Sequence, residues 1–182
     1  MIKILENHDE ETNINIDICR SSSGISGYRL RDAHYQLGKK LASRICEDLD
    51  NNFVVVLCMM RSGLCFSLGI ADALEKNGFS VKINFSTDYG LTSKIDNKYS
   101  VIVVDGVINT GNTILKTIKE LNSNDILIAS NVISEKARYL LVDLNVYAVR
   151  VSEKSFIGSM EKEINKGKGP DTSERLFDSE FF

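Results

Sequence analysis

Residues 101–115 read VIVVDGVINTGNTIL, and the fold follows from how this stretch changes along its length. It opens on four apolar, β-branched residues, the pattern of a strand buried on both faces. A single acid comes next, Asp105, then a loop carrying Gly106 and Gly111, then a threonine-rich entry into residues 114–121. In that last run Ile114, Ile118 and Leu121 fall on one helical face, with Lys116, Lys119 and Glu120 elsewhere. The stretch is strand, acid, glycine–threonine loop, helix.

Such a loop favours one class of ligand. Backbone N–H groups at a helix N-terminus lack intrahelical partners and sit at the positive end of the dipole, so they suit phosphate. Thr110 and Thr113 add hydroxyls, and the glycines allow close backbone approach. Asp105, at the carboxyl end of the strand, suits sugar hydroxyls or a divalent cation. A phosphorylated sugar meets all of these demands. Two other readings stay open at this point. GVINTGNT at 106–113 is one residue short of the G-x-x-x-x-G-K-[ST] loop of nucleoside triphosphatases, with Asn112 where the lysine would reach the phosphates. An ordinary strand-to-helix turn capped by Thr and Asn is the other.

Upstream lies a second unit of the same kind. Residues 53–58, FVVVLC, form a buried strand that runs into Met59-Met60-Arg61-Ser62-Gly63-Leu64, and a helix continues to residue 76. An arginine beside free N–H groups makes a clamp for pyrophosphate. Before it, a helix is expected over residues 27–48, with Leu30, Ala33, His34, Leu37, Leu41 and Ile45 at three- and four-residue steps. Residues 81–85 alternate as a strand, and 86–100 form a polar loop carrying Tyr89 and Lys94. Downstream, 126–132 and 146–151 are apolar strands, and Ser134 is placed to cap a helix. Strands alternating with helices predict an α/β fold: a mostly parallel twisted sheet with helices on both faces. Ligands of such sheets bind at the carboxyl ends of the strands, where Arg61 and the 105–113 loop both fall.

At 182 residues the chain reads as one domain, with an N-terminal arm over 1–26 and a C-terminal segment over 152–182. The arm is polar and acidic, with a short strand at most around Ile2, Ile4 and Leu5; the segment, read on its own, is an exposed loop. A net charge of −3 gives no case for nucleic-acid or membrane binding through bulk electrostatics. The four cysteines form no C-x-x-C pair, and neither His8 nor His34 lies at ligand spacing from one, which argues against zinc. With neither signal peptide nor membrane-length apolar run, a cytoplasmic protein is expected.

Residues 101–113 resemble the phosphoribosyl-pyrophosphate signature of type I phosphoribosyltransferases: four apolar residues, one or two acids, three variable residues, then Thr-Gly-x-[Ser/Thr]. Most members carry two adjacent acids and many a third just before Thr-Gly; here those positions hold Gly106 and Asn109. The uracil phosphoribosyltransferase branch also keeps only the first acid. Arg61-Ser62-Gly63-Leu64 resembles that branch's Arg-Ala-Gly-Leu pyrophosphate motif, and Gly27-Tyr28-Arg29-Leu30-Arg31 its Phe-Arg helix start. The tail, Gly167-Lys168-Gly169-Pro170-Asp171-Thr172-Ser173-Glu174-Arg175, is similar to the branch's Gly-rich, Asp-Arg ending. The element that reads uracil through its backbone has only an echo in Phe156-Ile157-Gly158.

The resemblance implies transfer of ribose 5-phosphate from phosphoribosyl pyrophosphate to a free base, a pyrimidine such as uracil, with release of pyrophosphate. It implies that Asp105 binds the ribose hydroxyls, directly or through Mg²⁺, and that Val107, Ile108, Asn109, Thr110, Gly111, Asn112 and Thr113 cradle the 5-phosphate. Arg61, Ser62 and Gly63 hold pyrophosphate, Arg29 reaches a phosphate, and Asp171 stands near the reacting base. The 86–100 loop folds over the substrate, and a homo-oligomer, a dimer by analogy, is expected. A non-catalytic regulator that senses phosphoribosyl pyrophosphate or a nucleotide is the alternative.

Overall fold

The computed structural model describes residues 1–5, 9–87, 90–91, 94–121, 123–153, 157 and 170–177. His8, Tyr89, Phe156, Gly158, Gly167, Lys168 and Gly169 lie outside the described residues. In chain order the elements are β1 (Ile2–Ile4), α1 (Glu10–Cys19), α2 (Gly27–Cys46), β2 (Phe53–Met59), α3 (Leu64–Lys76), β3 (Ser80–Thr87) and β4 (Gly90–Leu91). They continue with β5 (Ser100–Ile108), α4 (Asn112–Glu120), β6 (Ile126–Ser134), α5 (Glu135–Leu140), β7 (Asn145–Ser152) and α6 (Thr172–Phe177).

The strands form one seven-stranded sheet in the order β1-β7-β6-β5-β2-β3-β4. Every pairing is parallel except the short β3–β4 hairpin. The central strands earn their place by composition: β2 and β5 are near-continuous runs of β-branched and apolar residues, and Val54, Val56, Val101, Ile102, Val103 and Val104 are wholly buried. Alternate residues of each strand serve opposite faces. Val54, Val56, Ile102 and Val104 meet Leu30, Leu37, Leu41, Phe66, Ile70 and Leu74 of α2 and α3. Leu57, Val101, Val103 and Ile128 meet Ile114 of α4 and Ala137 of α5. On the first face the backbones of α2 and α3 meet directly at Gly38 and Gly69, where a Cβ would run into the other helix's backbone.

The chain runs outward from β2 to β3 on one side, then returns to build β5, β6 and β7 on the other. The sheet order therefore reverses between β2 and β5, and the crevice beyond their carboxyl ends is where open α/β sheets bind ligands. No helix among the described residues is long and apolar enough to cross a membrane.

Four details differ from the sequence reading. The strand does not stop at Asp105 but continues to Ile108, which shortens the loop to residues 109–111. Residues 10–19 are helix, capped by Asp9, whose carboxylate accepts the Thr12 N–H at 2.8 Å. The polar loop after β3 contains the β4 hairpin strand. The tail is not simply an exposed loop: α6 buries Thr172, Arg175 and Leu176.

Candidate functional site

The loop after β5 forms a small cleft lined by Asp105, Val107, Ile108, Asn109, Thr110, Gly111, Thr113 and Ile114. Seven of these eight belong to the expected sugar-phosphate set. Gly111 sits at φ +78° as the N-terminal cap of α4, a conformation in which any other residue is strained. It turns the chain from the loop into α4 beside the cleft. Asn112 is the first residue of α4, and its N–H donates to Thr110 Oγ1 at 3.4 Å.

Across the crevice, the turn after β2 is held by the Gly63 N–H donating to the Met59 carbonyl at 3.0 Å, and its Met60–Arg61 peptide is cis. The turn and β5 touch directly. Ser62 Oγ donates to Asp105 Oδ1, and a Cβ built on Gly106 would strike the Ser62 carbonyl. The departure from a paired-acid signature thus has a steric cause: position 106 has no room for a side chain while this turn lies where it does. Arg61 is exposed and makes no ion pair among the described residues, which leaves its guanidinium available at the rim.

Asp105 is half-buried. Loss of water around it pushes its carboxyl up to about 6, while the Ser62 hydroxyl and the Val107 and Gly106 N–H groups pull the other way. Among the described residues no group of three or more His, Cys, Asp or Glu side chains gathers to hold a metal. One carboxylate flanked by hydroxyls fits Mg²⁺ only as an ion that arrives on substrate oxygens, since Mg²⁺ is commonly held by one or two carboxylates plus phosphates.

Asn109, at the third-acid position, is engaged elsewhere. Its Nδ2 donates to the Ile157 carbonyl at 3.1 Å and its Oδ1 accepts the Ile157 N–H at 2.9 Å. Its own carbonyl accepts from Ser134 Oγ, the cap of α5. The amide pins residue 157 beside the cleft after β5 and carries no charge with which to take a proton.

A second cleft adjoins the first, sharing Val107 with it. Its wall includes Cys19, Arg20, His34, Asn131, Arg150 and Ile157. His34 was expected as a helix-face residue, and it lies on the buried face of α2, 1% exposed. Asn131 and Arg150 were not singled out from the sequence. Their signal was present: each interrupts an otherwise apolar central strand, where a polar side chain requires a reason. Arg29, in the first turn of α2, is exposed and lines neither cleft. Asp171 caps α6 reciprocally with Glu174: its Oδ1 accepts the Glu174 N–H at 2.8 Å, and Glu174 Oε2 accepts the Asp171 N–H at 2.7 Å. It meets the second cleft only through its neighbour Thr172.

Comparison with known proteins agrees with this geometry. The structure is similar to the AQ2163 protein of Aquifex aeolicus at 15% identity and TM-score 0.65, covering 86% of this chain and 92% of that one. It is similar to orotate phosphoribosyltransferase of Mycobacterium tuberculosis H37Rv, solved with inorganic phosphate, at 15% identity and TM-score 0.59, covering 78% and 94%. The purine phosphoribosyltransferase of Pyrococcus horikoshii matches at 19% identity and TM-score 0.51, covering 66% and 84%. At these identities the likeness is one of fold. No curated protein matches the sequence. The family model of the phosphoribosyl transferase domain, however, matches residues 29–163, a span that contains most of α2, the Arg61 turn, the Asp105 loop and Ile157. The chain belongs to the phosphoribosyl transferase domain family.

Proposed function

We propose that this protein transfers the ribose 5-phosphate unit of phosphoribosyl pyrophosphate to a ring nitrogen of a free base, a pyrimidine being the class the resemblance favours. The observation that carries this reading is the meeting of two loops at the reversal of strand order. One brings Arg61, Ser62 and Gly63, the other Asp105 and residues 107–113, and the Ser62–Asp105 hydrogen bond joins them.

In this reading the 5-phosphate rests in the loop of Val107, Ile108, Asn109, Thr110, Gly111, Asn112 and Thr113, against backbone N–H groups and threonine hydroxyls. Asp105 accepts hydrogen bonds from the ribose hydroxyls, and Arg61 with the Ser62 and Gly63 turn holds pyrophosphate. Bound Mg²⁺ supplies charge neutralisation to the departing pyrophosphate. The chain's own contribution is to align the base with the sugar and to stabilise developing charge with fixed donors. Asp171 approaches the base side only through its neighbour Thr172, and Arg29, which lines neither cleft, is assigned no contact with substrate. A cytoplasmic homodimer belongs to the same reading.

The test is pyrophosphate release from phosphoribosyl pyrophosphate and Mg²⁺ with a panel of free bases. Release that depends on one base and drops about 100-fold or more in Asp105→Asn supports the assignment. A second reading, a sensor of phosphoribosyl pyrophosphate without turnover, is favoured by one feature: the backbone fills the space of the second acid at Gly106. A rise in melting temperature with phosphoribosyl pyrophosphate, but no release with any base, would establish it instead.

A further inference from the structure

The second cleft has a chemical character that the phosphate cradle lacks. Its interior is small, about 60 Å³, and it opens to solvent at its mouth. Among the described residues no Asp or Glu lines it, while two arginines do. Arg20 is already neutralised at its exposed end by Asp17, Nε to Oδ1 at 2.9 Å. Arg150 makes no ion pair among the described residues, and its Nε is buried without a hydrogen-bond partner. His34 Nδ1 and Nε2 and Asn131 Oδ1 are buried without partners as well, in side chains that are each 1% exposed. Buried polar atoms in folded proteins are paired, so several orphans around one cleft mark where something polar sits. The Cys19 thiol is kept neutral, pushed up to about 12 by burial, so it offers Arg150 no counter-charge.

We infer that the base accepting the ribosyl group occupies this cleft and carries a carboxylate, which Arg150 binds. The inference rests on the proposed transferase reading, in which the acceptor must lie beside a ribose held over Asp105. The cleft satisfies that position: it shares Val107 with the phosphate cradle, and a Cβ on Gly106 would lie 3.4 Å from His34 Cε1. Backbone recognition at residue 157 is restricted, because Asn109 takes its N–H and one lone pair of its carbonyl. Selection falls to the lining side chains. A guanidinium with no ion pair among the described residues, acted on by Asp17 only at longer range, selects an oxyanion, and Asn131 Oδ1 selects an N–H, so a carboxylated nitrogen heterocycle answers both. In the transfer, the acceptor's ring nitrogen uses its lone pair to form the bond to ribose C1. The C1–O bond breaks with its electron pair leaving on pyrophosphate, and the carboxylate is unchanged. A ring nitrogen that carries a proton, as in orotate, releases it to water, whereas the unprotonated ring nitrogen of nicotinate becomes a ring cation.

Matched pairs test this, orotate against uracil and nicotinate against nicotinamide, each with phosphoribosyl pyrophosphate and Mg²⁺. Initial rates of pyrophosphate release are measured alongside the thermal shift given by each heterocycle alone. The anionic member of at least one pair should exceed its neutral partner at least tenfold in kcat/KM. That preference should vanish in Arg150→Gln and return in part in Arg150→Lys. A neutral partner that equals or exceeds the anion in both pairs overturns the inference, as does an unchanged preference in Arg150→Gln. The wild-type comparison needs no variant to fold. A thermal shift with phosphoribosyl pyrophosphate alone separates the two levels: if it persists while the anionic preference is absent, only the carboxylate assignment fails. Should it also be absent, the transferase reading fails with it.

Discussion

Gly106 illustrates how a single position determines what the site can be. The turn after β2 presses its Ser62 carbonyl into the space a side chain would fill, and the Ser62 hydroxyl then reaches Asp105. The two contacts are one packing arrangement, and a second acid would have to break it. Restoring the acid pair with Gly106→Asp should therefore lower pyrophosphate release at least about tenfold and destabilise the fold by about 1–3 kcal/mol, as overpacking does. Enzyme assay and urea unfolding would measure both, and higher activity in the variant would show that the turn yields easily. That Asp105, Thr110, Gly111 and Thr113 line one cleft was legible because a strand-to-helix loop is local, written within nine residues of one stretch. Asn109 was legible only as a missing acid. Its partner Ile157 lies 48 residues away, and nothing local in the sequence ties the two together.

The elements that escaped the sequence are those whose burial is not apolar. The inward face of α1 is Thr12, Asn15, Ile16 and Cys19, spaced correctly for a helix but half polar, so no hydrophobic stripe announces it. Asp9 with Glu10 and Glu11 was the available signal, a capping acid before an acidic first turn. Helix α6 is only six residues long, too short for periodicity, and is fastened by Arg175 instead. Though 4% exposed, that guanidinium pairs with no carboxylate among the described residues; it donates to backbone carbonyls and to the Ser23 hydroxyl. Nη2 reaches the Ile25 carbonyl at 2.8 Å and the Arg20 carbonyl at 3.1 Å, and Nε reaches Ile25 at 3.1 Å. Arg175 thus staples α6 to the connector between α1 and α2. Arg175→Met should cost about 2–4 kcal/mol by leaving these carbonyls unpaired, and Arg175→Lys should recover only part, since an ammonium has no fork. Equilibrium unfolding gives the cost. Hydrogen exchange should show the loosening concentrated at residues 18–25, and a uniform change across the sheet would argue against the staple.

At the scale of the molecule, two groups near the site make the ligand-free fold respond to pH in opposite senses. Burial, helped by the positive charges of Arg175 and Arg150, pulls His34 down from 6.5 to about 3. Its contribution to stability is complete above pH 6.5 and is lost as pH falls toward 3, because only the unfolded chain can take the proton. Asp105 behaves oppositely: pushed from 3.8 to about 6 by burial, it contributes stability that is present below pH 3.8 and lost as pH rises through 6. Between pH 6 and 4.5 the two slopes oppose, each at most about 1.4 kcal/mol per pH unit, so the wild type should appear nearly flat there. Single variants should expose the components. In metal-free buffer, His34→Leu should gain about 1–2 kcal/mol as pH falls from 6 to 4.5, and Asp105→Asn should lose a similar amount. Ion-paired carboxylates such as Asp48, held below the usual range chiefly by its Lys3 partner, titrate lower and leave this window clear. Urea midpoints at four or five pH values decide the matter. If both variants follow the wild-type curve, neither group is held in the protonation state its surroundings imply, and the dry setting of the crevice between β2 and β5 is wrong.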